Sequence, residues 1–399
     1  MKKSTCHYFI VYLLLLFICG VFFLYHKHLI GNDSTISEWL INYTGGFTRR
    51  GLIGQICIWF AENLNLNLRI TIFIFQTIIL FVYFCLLFLF FNKINVNKIM
   101  LLSIFSPIFI LYPLAEIEVL ARKELFVFSF FLIYLLIQDI KIKSFFVFFV
   151  LPIIILIWEP VAFFFPFLMA IEIINNKYKN FKNFLFRGFY IFVPAIIITI
   201  LIIFNPISDE NHEVMKNYLK INFSENCYMS CALLKSKSTF YQQFNPLRAY
   251  NFEVVIRYIL IMIIGFGPLL YLSYFSKLKL KKLFFFDHFN NLLIPQLILI
   301  SPVLLLFAMG YDWGRWVNIS YVFSNLFYYY LYKNKFISIK IIYPTFLKKI
   351  INNRKLFIAI FIIFCFGWNQ KTAITGDVGS FPGYRIPVKI INKVLFNYY

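Results

Sequence analysis

Four groups of side chains in this sequence are of types, and at spacings, that do chemistry. In the run Asn42-Tyr43-Thr44-Gly45-Gly46-Phe47-Thr48-Arg49-Arg50-Gly51-Leu52, two arginines stand between glycines. Glycine lets backbone approach a ligand closely, and guanidinium forks grip phosphate oxygens two at a time. Arg49 and Arg50 therefore read as a grip for a lipid phosphate or pyrophosphate. The plainer reading is a pair of anchors tying an interfacial helix to anionic head groups. A second group, Glu116, Glu118, Arg122, Lys123 and Glu124, lies between two apolar runs. Glu118 and Arg122 are four apart, so a helix would put them on one face. Charge facing a membrane cavity is costly and marks function, whereas a solvated turn closed by its own salt bridge explains the same residues.

The third candidate is Glu159, held between Trp158 and Pro160 at the tip of an apolar hairpin. Close to hydrocarbon, a carboxyl loses solvation and its pKa rises, which suits proton exchange; a polar tip in water is the alternative. Last comes the segment from Gly310 to Trp316, where Asp312 and Arg315 are three apart among Trp313 and Trp316. Aromatic rings there offer platforms for sugars, and equally form an interfacial belt around one ion pair.

Only a membrane protein can position these groups. Of 399 residues, 61% are hydrophobic, 22% aromatic and 14% charged, too little polar surface for a soluble globule. Runs such as 8–25 and 70–91 are long enough to cross about 30 Å of hydrocarbon as helices. The first of them is too long for a signal peptide and ends without a small-x-small cleavage site. The expected fold is an all-α polytopic bundle of about eleven passes, at 8–25, 70–91, 99–114, 125–137, 145–157, 160–174, 188–204, 257–275, 292–309, 317–332 and 356–368. The pair 145–157 and 160–174 forms a hairpin turning at Trp158-Glu159-Pro160, and can be drawn as re-entrant.

With a cytoplasmic N-terminus, the six inner segments hold 21 of the 38 Lys and Arg residues, and of the 17 acids only Asp139, Glu172 and Asp287 lie inside. The net charge of +21 is thus mainly a topology signal, and nucleic acid is excluded as a partner. No repeat or linker divides the chain, so 1–399 reads as one integral membrane domain with outer loops 26–69 and 205–256 and a periplasmic segment 369–399. Within the first loop, Ile36, Trp39, Leu40 and Tyr43 recur with helical spacing behind a cap at Asp33 or Ser34. A second apolar stretch runs from Ile53 to Phe60. Two helices lying on the membrane surface, joined by the glycine turn, are expected.

Cys6, Cys19, Cys57, Cys85 and Cys365 read as small apolar residues. Cys227 and Cys231 share the second outer loop, where an oxidising periplasm allows a disulfide. His7, His26, His28, His212 and His288 make no Cys/His ligand spacing, so no metal and no cofactor is expected. Lys277 to Lys282 reads as an inner anchor, Glu172 as a snorkelling acid, and Tyr328 to Tyr330 as lipid-facing or bundle packing.

In its many passes, interfacial first loop and second large loop, the chain resembles Wzy-type O-antigen polymerases and the wider GT-C class of membrane glycosyltransferases over most of its length. The segment from Asn42 to Leu52 also looks like one found in bacterial membrane proteins of surface-polysaccharide loci. What the resemblance implies is a GT-C-like bundle in the bacterial inner membrane that transfers a glycan from an undecaprenyl phosphate or diphosphate carrier to an acceptor hydroxyl. It implies membrane lipids, a chain-length regulator and other polysaccharide-assembly proteins as partners. GT-C enzymes carry an acid in the first outer loop, where Asp33 and Glu38 are available; Wzy-type enzymes use outer-loop arginines, here Arg248 and Arg257.

Such a transfer needs cations for the departing phosphate, from Arg49, Arg50, Arg122, Lys123 or Arg315. It needs a carboxylate for the acceptor hydroxyl, from Glu38, Glu118, Glu159 or Asp312, and Trp39, Trp158, Trp313 and Trp316 are the expected sugar platforms. A repeat-unit polymerase is the leading expectation, and a GT-C transferase adding one sugar from a polyprenyl phosphate is the sibling. A flippase ranks last, because deep charges along a central path and repeated halves are not visible.

Overall fold

The computed structural model describes residues 3–29, 34–232, 234, 252–280, 283–310, 312–340 and 343–370. In chain order the helices are α1 (Lys3–Leu29), α2 (Ser34–Trp39), α3 (Gly51–Asn63), α4 (Leu68–Phe91), α5 (Lys98–Ile104), α6 (Tyr112–Ala115) and α7 (Glu124–Leu136). They continue as α8 (Ile140–Ile157), α9 (Phe165–Asn176), α10 (Phe181–Arg187), α11 (Val193–Phe204), α12 (Asp209–Phe223) and α13 (Met229–Ala232). Then follow α14 (Phe252–Tyr274), α15 (Leu293–Ile300), α16 (Leu304–Met309), α17 (Trp313–Lys333), α18 (Thr345–Asn352) and α19 (Arg354–Phe366). Among the described residues the strands are β1 (Ser276–Leu278) and β2 (Ile337–Ile339), an antiparallel pair with Lys277 opposite Ser338.

Two compact units divide the chain. One comprises Met1–Lys93 and Ile117–Phe240, the other Ile94–Glu116 and Tyr241–Tyr399. Composition shows no such boundary, because both units are helical and neither is continuous in sequence.

In the first unit, α1 packs on α4. Its buried positions, Phe9, Leu13, Leu16, Gly20 and Leu24, recur every three or four residues, as one helical face requires. The opposite face, with Tyr8, Leu15, Ile18 and Phe22, is just as apolar and yet exposed. Water would not tolerate that face; hydrocarbon does, and the chain is an all-α membrane protein. Among the described residues, four helices are long and apolar enough to cross a membrane: Cys6–Leu29, Leu68–Phe91, Ile140–Ile157 and Val254–Tyr274. The pair Phe181–Arg187 and Phe189–Phe204, bent by 50°, makes a fifth if counted as one span. Glu124–Leu136 and Leu293–Met309 are shorter apolar helices.

The expected break at Trp158 is present. Helix α8 stops at Ile157, Trp158 is extended (φ −156°, ψ 95°), and a 3-10 turn Glu159–Phe164 leads into α9. Pro160 has no N–H to continue the α8 ladder, so the chain turns there and lifts Glu159 out of the helix.

Two expectations are corrected. Helix α2 ends at Trp39, so Tyr43 lies outside it. Nor does that helix lie on a surface: Ile36, Glu38, Trp39 and Leu40 are all buried, since a side chain with helical apolar spacing fits a protein core as well as a bilayer face. The pass drawn at 99–114 is also broken. Helix α5 has seven residues, and Pro107 and Pro113 keep the following stretch from being one helix.

The second unit explains how that broken stretch survives. Helix α17 is buried from Trp313 to Leu331 although it is rich in Asn, Ser and Tyr. Asn318 Nδ2 donates to the carbonyls of Ile108 (2.8 Å) and Phe109 (3.1 Å), Tyr321 Oη to that of Ser103 (2.7 Å), and Tyr329 Oη to that of Met100 (3.1 Å). Irregular backbone can exist at membrane depth only where protein satisfies it, and the polar stripe of α17 supplies those donors. Tyr328, Tyr329 and Tyr330 are accordingly bundle packing, all buried.

Candidate active site

The first unit gathers side chains that are far apart in sequence. After α2 the chain turns back through Gly45 and Gly46, the latter at φ +104°, and enters α3 at Gly51. The turn is backed by α12: a Cβ on Gly45 would lie 1.9 Å from the carbonyl oxygen of Asn211, so no larger residue fits without moving backbone. At the head of α3, Arg50 adopts the left-handed region (φ 63°, ψ 11°), a conformation costing an L-residue on the order of 1–2 kcal/mol. That conformation is held by a fork. Arg50 Nε and Nη2 each donate to Glu159, to Oε2 and Oε1 respectively, both at 2.8 Å.

Further charges converge on the same place. Arg50 Nη1 and Arg122 Nη1 each lie 3.8 Å from Glu38 Oε1, so two guanidinium groups share one carboxylate oxygen. Lys123 Nζ donates to the carbonyl of Arg50 at 2.5 Å. Arg49 Nη1 stands 3.9 Å from Glu159 Oε1 with its side chain 44% exposed, the most open member of the group. Trp39 Nε1 donates to the carbonyl of Ala121 (3.1 Å), which fastens α2 to the turn bearing Arg122 and Lys123. Four basic side chains therefore face two carboxylates. A further buried acid, Glu124, begins α7. Thr48 Oγ1 and Tyr43 Oη, on the glycine turn, are buried without a hydrogen-bond partner.

The electrostatics follow from burial and pairing. Burial alone would raise Glu159, but the charge and hydrogen bonds of Arg50, with Arg49 adding, hold it below the ordinary carboxylate value. It is an ionised partner while Arg50 grips it. Lys123 has 0% of its surface exposed. Burial, reinforced by Arg50 and opposed by Glu38, pushes it down to about 7. Above that value the folded chain holds Lys123 neutral, while the unfolded chain, at the ordinary 10.5, keeps it protonated. The unfolded state binds more protons in that window, so stability rises with pH between the two values. In detergent, the unfolding midpoint of the wild type should therefore gain more from about pH 6.5 to about pH 9 than that of Lys123→Met. Parallel curves would show that Lys123 titrates normally.

Other expected residues lie elsewhere. Glu118 and Arg122 do not share a helix face: Ile117–Val119 is a 3-10 turn, and Glu118 pairs with Lys27 at the end of α1 while Arg122 turns to Glu38. The spacing of four means a shared face only if the segment is α-helical. Trp39 and Trp158 have no exposed surface and present no ring face to a sugar; they wall the cluster. In the second unit, Asp312 Oδ2 accepts from Arg315 Nη1 at 2.6 Å, the i, i+3 pair that spacing implies. Trp313 and Trp316 there are buried, Trp313 Nε1 donates to the carbonyl of Phe307 (2.7 Å), and Arg315 lies over the Trp316 ring at 5.5 Å. Those rings are packing and cation–π partners in place of open platforms. Arg257 is exposed on α14. Asp33, Arg248 and the segment from 371 to 399 lie outside the described residues.

One feature has no signal in sequence spacing. Arg69, at the start of α4, forks Glu225 and also donates to Tyr228 Oη and the carbonyl of His28, tying the ends of α1 and α4 to the loop after α12. The disulfide that their shared outer loop allows between Cys227 and Cys231 is present, and the pair packs with Ile41, Ile207 and Met215 behind the glycine turn. His212 Nε2 lies 3.1 Å from the Cys231 carbonyl oxygen. His212 and the two cysteines come within metal-ligand distance of one another, but sulfurs bonded to each other offer no thiolate.

Compared with protein-family models, curated proteins and solved structures, the chain finds no match.

Proposed function

We propose that this protein transfers a glycan from an undecaprenyl phosphate or diphosphate carrier to an acceptor hydroxyl, foremost as a repeat-unit polymerase of O-antigen or capsule. The observation that carries this reading is the convergence of Arg49, Arg50, Arg122 and Lys123 on Glu38 and Glu159 in a membrane protein. A basic excess beside paired carboxylates suits a reaction in which a phosphate departs as a hydroxyl attacks. On this reading Arg49, the most open cation, meets the carrier first. Its phosphate then competes with Glu159 for the Arg50 fork. Glu159, once released, loses the cation that held it ionised and becomes a better proton acceptor. The acceptor oxygen gives its proton to that carboxylate and bonds to the anomeric carbon. The anomeric carbon–oxygen bond to the carrier breaks, and the carrier phosphate leaves with the bonding pair, its charge met by the arginines. Glu38 keeps Arg50 and Arg122 aligned throughout.

The same proposal includes the inner membrane, a cytoplasmic N-terminus and a GT-C-like bundle in which the shorter apolar helices complete about eleven passes. Broken segments such as 98–114 fit that bundle where protein buries them. Chain-length regulators and other assembly proteins belong to it as partners. A GT-C transferase adding one sugar from a polyprenyl phosphate is the second reading, since one cluster of this kind can serve a monophosphate as well.

Purified full-length protein, supplied with an undecaprenyl-diphosphate-linked oligosaccharide, should yield lipid-linked products that grow by whole repeat units on a sizing gel. Growth by a single sugar from a polyprenyl-phosphate sugar would favour the second reading. No transfer from either donor would sink both.

A further inference from the structure

A groove of about 460 Å³ opens in the first unit, and none of its lining residues belongs to the arginine–carboxylate cluster. Its size is that of a ligand pocket. One wall is the phenylalanine ladder Phe145, Phe148 and Phe149 of α8, and Phe145 and Phe149 continue onto the exposed apolar face. An occupant with a hydrocarbon chain can therefore enter from the bilayer without crossing water.

The other end is polar and specific. Lys141, at the start of α8, and Arg187, the last residue of α10, stand exposed at the rim, and neither is held in an ion pair among the described residues. Below them Glu172 of α9 is 2% exposed. Its Oε1 accepts from Asn176 Nδ2 at 2.5 Å, but its Oε2 has no hydrogen-bond donor. Lys143 contributes positive field, yet its ammonium lies over the Tyr134 ring at 5.1 Å and gives nothing to that oxygen. A buried carboxylate oxygen without a donor is costly, and an ammonium is the strongest donor a ligand can bring.

We propose that this groove binds a membrane phospholipid whose phosphate rests between Lys141 and Arg187 and whose primary ammonium donates to Glu172, with an acyl chain along the phenylalanine ladder. Two cations followed by a carboxylate match a phosphoethanolamine head group in order and sign. A trimethylammonium head group has no N–H to give, and a glycerol head group brings hydroxyls without charge. The inference needs only the membrane fold and stands apart from glycan transfer.

The full-length protein in detergent, titrated with phosphatidylethanolamine, phosphatidylcholine and phosphatidylglycerol of identical acyl chains, tests it by native mass spectrometry. A charge-assisted hydrogen bond should make phosphatidylethanolamine about tenfold tighter than either of the others. Glu172→Gln should bring phosphatidylethanolamine down to the level of phosphatidylcholine and leave the latter unchanged. Lys141→Gln with Arg187→Gln, both exposed and remote from any core, should weaken all three lipids together. Equal binding of the three lipids, a preference for phosphatidylglycerol, or a phosphatidylethanolamine preference that survives Glu172→Gln would overturn the proposal.

Discussion

Arg50→Ala is expected to abolish glycan extension and also to lower the amount of folded protein, whereas Arg49→Ala should abolish extension alone. Both arginines would grip the same phosphate, but their structural duties differ. Removing the Arg50 side chain strips Glu159 of its fork and Glu38 of one of its two guanidinium neighbours. Leaving such carboxylates poorly compensated costs about 3 kcal/mol, the low end for a broken ion pair because Arg50 and Glu159 retain 21% and 18% of their side-chain surface. Arg49 contributes only a 3.9 Å pairing from an open position, and exposed pairs of that kind are worth less than about 1 kcal/mol. Its loss should be felt in turnover, by about a hundredfold or more if it meets charge in the transition state. Glycan length on gels and membrane abundance by immunoblot separate the two effects. Normal glycan length in Arg49→Ala would remove the phosphate role, and normal abundance in Arg50→Ala would show that the fork contributes little to folding.

Gly45→Ala should be among the most damaging single substitutions in the chain. The added methyl would sit 1.9 Å from the Asn211 carbonyl oxygen and 3.1 Å from the Met215 nitrogen, both backbone atoms of α12 that no rotamer change can move. Relief requires α12 and the glycine turn to separate, at about 3 kcal/mol or more, and the arginines ride on that turn. Gly267→Ala in α14 is the control, since nothing lies within 4 Å of its added methyl and alanine favours helix. Unfolding midpoints in detergent should fall steeply for Gly45→Ala and hold or rise for Gly267→Ala. Equal midpoints would mean that the turn gives way easily.

Much of this architecture is legible in local pattern. The apolar runs that become α1 and α4 are continuous and uninterrupted by charge, and the Pro160 break follows from a missing N–H. The Asp312–Arg315 pair needs only helical spacing. Patterns that mislead do so for a physical reason. Apolar spacing at Ile36, Trp39 and Leu40 reports a buried face without saying whether lipid or protein covers it. Glu118 and Arg122 face together only in an α-helix, and the segment is not one. Polar residues along α17 look unsuited to a membrane bundle until the carbonyls of the broken 98–114 stretch are seen to need them.

The sequence by itself determined the helical class, the membrane environment and the small set of charged residues from which a site can be built. Each depends on composition or on spacing of a few residues, where backbone geometry alone makes the link. Only the tertiary structure decided which charges meet. Arg50 and Glu159 stand 109 positions apart, and Arg69 and Glu225 are 156 apart. Such partners are chosen by how glycine turns, proline breaks and packed helices close the chain in space, and no periodicity along the sequence encodes that closure.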